Sequence, residues 1–147
     1  MTREQLEHVL RAAAAIASEN SLVVVGSQAV LLPFPNAPAA LLVSREFGYH
    51  ADGVGPETAV MPADWMQRAS LHYIGDVTAI CPEIHDLAVS KAVAGRDKDA
   101  EFVRVLLKER MIDIETLRER INCLDPALHS VASVLAWAQR RAQEASA

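Results

Sequence analysis

The run Ser21-Leu22-Val23-Val24-Val25 ends at Gly26-Ser27, and the chain resumes as Gln28-Ala29-Val30-Leu31-Leu32. Adjacent β-branched residues favour a buried strand, and a Gly-Ser step favours a tight turn. Helix-like sequence follows at once. Strand, turn and helix in direct succession aim backbone N–H groups and the Ser27 hydroxyl at one point, where an anion such as phosphate is held at little cost. The same dipeptide also reads as a left-handed turn with a serine cap, which needs no ligand.

A chain of 147 residues, 51% of them hydrophobic, is long enough to bury a sizeable core as one domain. Six glycines and seven prolines are too few for a disordered chain. A net charge of −5 leaves no basic footprint for nucleic acid. Cys81 and Cys123 stand far apart without metal-type spacing, as expected of free thiols in a reducing compartment. The charged start Met1-Thr-Arg-Glu-Gln-Leu-Glu lacks a signal-peptide apolar region, and no apolar stretch reaches the roughly 18 residues of a membrane span. A soluble, cytoplasmic protein is expected.

Thr2-x-x-Gln5 is a capping-box pattern opening a helix whose apolar face is Leu6, Val9, Leu10, Ala13, Ile16 and Ala17. After the Leu22–Val25 strand and the short Ser27–Leu32 helix, three prolines between Pro33 and Pro38 dictate an ordered loop. Ala40–Ser44 and Thr58–Met61 read as strands, with loop and at most a short strand between Arg45 and Glu57. Pro62–Trp65 turns into a short helix. Leu71–Ile74 and Asp76–Ile80 form a hairpin at Gly75-Asp76. Beyond Cys81 the pattern turns helical. One helix begins with Pro82 at its first position and runs to Gly95; a second covers Asp97–Glu109. Asp113 caps a third, and Asp125-Pro126 begins a fourth that runs to the tail. The fold class is α/β (α+β): a small mixed sheet with flanking helices in residues 1–81, and a helical region in 82–147 packed on it as one compact unit.

Charge concentrates in Asp86-Leu-Ala-Val-Ser-Lys91-Ala-Val-Ala-Gly95-Arg96-Asp97-Lys98-Asp99. Gly95 permits a sharp bend between two helices, so Lys91, Arg96 and Lys98 can converge near a helix N-terminus that already favours anions. Asp97 and Asp99 suit helix caps, and either could accept a proton or hold a metal. The bland alternative is a solvated turn whose charges match the helix dipoles. His50 and His72 lack carboxylate or cysteine neighbours at ligand spacing, and His8, His85 and His129 are expected on helix surfaces. Ser90 has no nucleophile elbow around it, which argues against a hydrolase triad. Trp137 falls at helical spacing from Val134 and Leu135, as core or interface.

Read together, Val25-Gly-Ser-Gln-Ala29, Phe47-Gly-Tyr-His-Ala-Asp-Gly-Val-Gly-Pro56, Pro62-x-x-Trp65-x-x-Arg68 and the stretch from Asp86 through Asp99 to Phe102-Val resemble a bacterial family of uncharacterised nucleotidyltransferase-fold proteins. That family resembles the nucleotidyltransferase toxins of abortive-infection toxin–antitoxin systems. The resemblance implies that Gly26 and Ser27 contact phosphate and that Lys91, Arg96, Lys98 and Asp99 sit over the nucleotide, Asp99 as the catalytic candidate. It also implies an acid-x-acid pair for two Mg²⁺ on the strand after the proline-rich loop. That pair is missing: Ser44 runs straight into Arg45-Glu46-Phe47, and no acid-x-acid occurs from Ser27 to Ile80.

Phosphoryl transfer depends on metal clamping of developing charge, so loss of both ligands costs orders of magnitude in rate. Glu46 and Asp52 are the nearby substitutes as metal ligands, at poor spacing for one strand face. The leading expectation is a nucleotidyltransferase-like domain of impaired or absent catalysis that binds an NTP. The alternatives are an active Mg²⁺-dependent nucleotidyltransferase modifying RNA or protein, and a non-enzymatic module that acts through a homodimer or a cognate protein partner, its apolar last helix as the shared face.

Overall fold

A computed structural model describes residues 1–42 and 60–147, and the backbone of Gly48–His50. The sheet holds β1 (Ser21–Val25), β2 (Gly48–His50), β3 (Ser70–Ile74) and β4 (Val77–Cys81) in the order β2-β1-β4-β3. β1 and β4 run parallel, with Val23 opposite Ile80, and the two outer strands run antiparallel to their neighbours. The carboxyl ends of the parallel pair therefore lie side by side. Helices α1 (Arg3–Ala17), α2 (Ile84–Ala94), α3 (Asp97–Lys108), α4 (Ile114–Ile121) and α5 (Val131–Ser146) complete the fold.

Local chemistry sets most of these boundaries. Thr2 Oγ1 accepts the Gln5 N–H and the Gln5 side chain accepts the Thr2 N–H, closing the capping box of α1. Gly75, at φ 60, occupies the first central position of the two-residue hairpin turn between β3 and β4. Gly95, at φ 61, ends α2 in the left-handed conformation and releases the chain directly into α3. Asp113 caps α4 through the Thr116 N–H.

Alternation along the strands makes two unequal layers. Leu22, Val24, Ile74, Val77, Ala79 and Cys81 join the main core with Leu6 and Leu10 of α1, Leu87 of α2, Phe102 and Leu106 of α3, and Leu117 and Ile121 of α4. On the other face Val23 and Val25 are covered by Trp65, with Met61, Ala69 and Ile80 partly buried around it. Leu71 and Tyr73 are exposed.

Several expectations are corrected. Ala39–Leu42 is a 3-10 helix rather than the start of a strand, because Leu41 N–H turns back to the Pro38 carbonyl. Val60 and Met61 carry no strand, and the rest of that expected strand lies outside the described residues. Pro82 lies outside α2 rather than at its first position: Glu83 caps the helix, which begins at Ile84. The last helix starts at Val131: the Asp125 carbonyl accepts the Leu128 and His129 N–H groups into a separate turn, and Ser130 precedes α5 as its cap residue. Ile16 is 83% exposed, whereas Ala14 takes a place on the buried face of α1.

Candidate functional site

Parallel strands whose carboxyl ends lie together open a crevice at that edge of a sheet, the usual place for ligands in α/β folds. Gly26 leaves β1 there, at φ 92 and ψ 170, a region that only glycine occupies without strain. Ser27 follows as the first residue of the 3-10 helix Ser27–Leu31 and is buried. Gln28, also buried, donates from Nε2 to the Leu42 carbonyl and pins the two 3-10 segments together. Cys81, at the end of β4, lies against the same turn, 3.5 Å from the Ala29 carbonyl. Burial pushes its thiol up to about 12, against the opposing effects of Ser70 and Arg3, which makes it a packing residue rather than a nucleophile. We expect Gly26→Ala to destabilise the fold by about 1–3 kcal/mol, read from urea unfolding, because alanine is strained at that dihedral.

The second element is the α2–α3 junction. Lys91 is buried, its ammonium 5.5 Å from the centre of the Phe102 ring. Asp99 is buried in the first turn of α3 and holds Arg96: Arg96 donates from its backbone N–H and from Nε to Oδ2 (3.1 and 2.6 Å), and from Nη2 to Oδ1 (3.2 Å). A carboxylate at this position also offsets the positive end of the helix dipole. Lys98 stands exposed beside it. The 3-10 segment Ala39–Leu42 packs on both α3 and the Ser27–Leu31 turn. Glu46 and Asp52 lie outside the described residues.

A third cluster was not legible as a site. Asp86 is fully buried in α2 and accepts Arg68 Nε at 2.9 Å, Arg68 Nη2 at 2.9 Å and Arg120 Nη1 at 3.1 Å. Asp64 accepts the remaining face of Arg68 in two bonds, and Glu83 accepts Arg120 at 2.8 Å. His85 was expected on the surface. Instead its Nε2 accepts the Asp113 N–H, which leaves the ring proton on Nδ1 to donate to Glu83. The signal in the sequence was for burial alone: α2 is apolar on nearly every side, which buries Asp86 and Lys91 within it without naming their partners. The bonds tie the Trp65 segment, α2 and α4 together. They also occupy the carboxylates.

Glu83 gives this cluster a pH signature. Burial raises its pKa, but hydrogen bonds from His85 and Arg120 more than offset that and hold it at about 2, against 4.5 for a free glutamate. A carboxyl depressed in the folded state binds protons less readily than in the unfolded chain. Its stabilisation is complete above pH 4.5 and is lost as pH falls through about 2. With the side chain partly solvent-screened we expect about 2 kcal/mol from this group. Unfolding free energy measured from pH 6 to pH 2 should fall less steeply in Glu83→Gln than in the parent.

Lys91 is thus buried four residues before the left-handed Gly95, and Gly26 takes at the carboxyl edge a dihedral open to glycine. Residues 42–141 match the model of a family described as nucleotidyltransferase of unknown function (DUF6036). The chain belongs to this family. The match takes in the DUF6036 segment from Leu42 through the α2–α3 junction to Arg141 in α5, and so includes Lys91, Arg96, Lys98 and Asp99. Gly26 and Ser27 precede it. No curated protein and no solved structure matches the chain. As in the sequence reading, this DUF6036 protein has a mixed α+β fold with a small sheet and flanking helices. Among the described residues no helix is long and apolar enough to cross a membrane.

The described residues do not fit a resident Mg²⁺. Asp86, Asp64, Glu83 and Asp99 are all engaged by arginines, and among the described residues no three acidic, histidine or cysteine side chains group to hold a metal.

Proposed function

We propose that this member of the DUF6036 family binds a nucleoside triphosphate through its phosphates, at the α2–α3 junction and the Gly26–Ser27 turn, with transfer chemistry impaired. The observation that carries this reading is Lys91, a buried ammonium held over Phe102 inside the part of the chain that matches the family. Burial in a low-dielectric setting strengthens a cation's attraction for an anion that reaches it. Arg96, oriented by Asp99, and the exposed Lys98 add positive charge next to it. Asp99 acts here as the group that positions Arg96. The Gly26 turn supplies backbone N–H groups from the neighbouring segment.

Impairment follows from the acids. The sequence from Ser27 to Ile80 has no acid-x-acid pair, and the buried carboxylates of Asp86 and Asp99 are consumed by arginine. Radiolabelled NTPs incubated with the protein, Mg²⁺ or Mn²⁺ and RNA or protein acceptors test this part directly. Transfer of label at rates ordinary for an enzyme would overturn the impairment while leaving the binding site standing.

A further inference from the structure

Among the described residues β3 is an edge strand, and Ser70-Leu71-His72-Tyr73-Ile74 carries none of the lysines, acids or prolines that usually protect an edge. Leu71 is 53% and Tyr73 73% exposed, on the sheet face opposite the main core. The hairpin register fixes which backbone groups are spent. Ile74 pairs with Val77 across a two-residue turn, so Ile74, His72 and Ser70 direct their N–H and C=O groups to β4. Those of Leu71 and Tyr73 point to the outer edge.

We propose that β3 is a self-association edge, joined by a second copy of this chain in antiparallel register about a twofold axis at His72. The strand is self-complementary in that register. Leu71 falls opposite Tyr73 of the second copy and Tyr73 opposite its Leu71. Both are hydrogen-bonded pairs, so all the outward groups of both residues are satisfied in four backbone bonds. Each apolar side chain meets an apolar one, and no like charges face each other. His72 meets its own copy at the non-hydrogen-bonded position. Ser70 Oγ holds the ring at 2.8 Å, and burial together with the Arg3 guanidinium keeps its pKa below the ordinary value, so the two imidazoles meet uncharged. The described strands of the two sheets become one sheet of eight. The last helix is a poorer candidate for this role, because Val134, Leu135 and Trp137 already pack on the chain's own core.

The test is sedimentation velocity over a concentration series, on the parent, Tyr73→Lys and Leu71→Lys, with circular dichroism to confirm folding. The parent should shift toward twice its 16.0 kDa mass as concentration rises, and either lysine should keep it monomeric. As an independent readout, His72→Cys in a Cys123→Ser background should form a covalent dimer on oxidation. A non-hydrogen-bonded pair places the Cα atoms about 4.5 Å apart, within disulfide reach. A parent that stays monomeric at every concentration overturns the proposal. So does a dimer that neither lysine disrupts and that His72→Cys does not cross-link, or a different protein chain recovered on this edge in place of the second copy.

Discussion

Asp86→Ala is expected to cost about 3–5 kcal/mol of unfolding free energy, the largest effect of any single side chain outside the apolar core. The carboxylate is buried and takes three charge-assisted bonds from two arginines. Removing it leaves Arg68 held only by Asp64 and Arg120 only by Glu83, both largely withdrawn from water. Most of the cost is therefore the loss of one carboxylate partner by two partly buried cations rather than the intrinsic worth of the pairs. The distinction is measurable. If the former dominates, Arg68→Met in the Asp86→Ala background should recover part of the loss, and a double-mutant cycle in urea should show coupling of about 0.5–3 kcal/mol. Additive losses would mean that Asp86 and Arg68 are not energetically coupled.

Lys91→Met should weaken nucleotide binding by about tenfold to a hundredfold, since a hydrogen bond to a charged group is worth about 1.5–3 kcal/mol and each 1.4 kcal/mol is a factor of ten. Methionine is chosen over alanine because it keeps an unbranched stem against Phe102 and spares the packing. Thermal unfolding of the variant then separates a lost ligand contact from a loosened junction. Ser27→Ala should weaken binding less, because backbone N–H groups at the turn survive the change.

Local signals were legible where a few neighbouring residues decide the outcome. Thr2 and Gln5 close the box that starts α1, Gly75-Asp76 turns the hairpin, and Asp113 caps α4; each involves partners within four residues. Gly26 was legible for the same reason, since its dihedral is demanded by the turn itself. Expectations failed where competing local bonds won. Pro38 draws Leu41 into a 3-10 turn in place of a strand, and Asp125 closes a turn of its own that delays α5. The Asp86 network could not be read as a site because Arg68, Asp86 and Arg120 meet only after the sheet and helices have formed. Of the proposed nucleotide site, residue types and order were visible in sequence. The burial of Lys91 over Phe102 and the clamping of Arg96 by Asp99 appear only in three dimensions.

The decisive measurement is a calorimetric titration of the purified protein with ATP, GTP, CTP and UTP, each with and without Mg²⁺. The expected result is weak binding of at least one nucleotide that does not require Mg²⁺ and that Lys91→Met reduces at least tenfold. Absence of binding by all four, or binding unchanged in both Lys91→Met and Ser27→Ala, would contradict the site. Tight binding that appears only with Mg²⁺ would contradict the impairment and place working metal ligands in the chain.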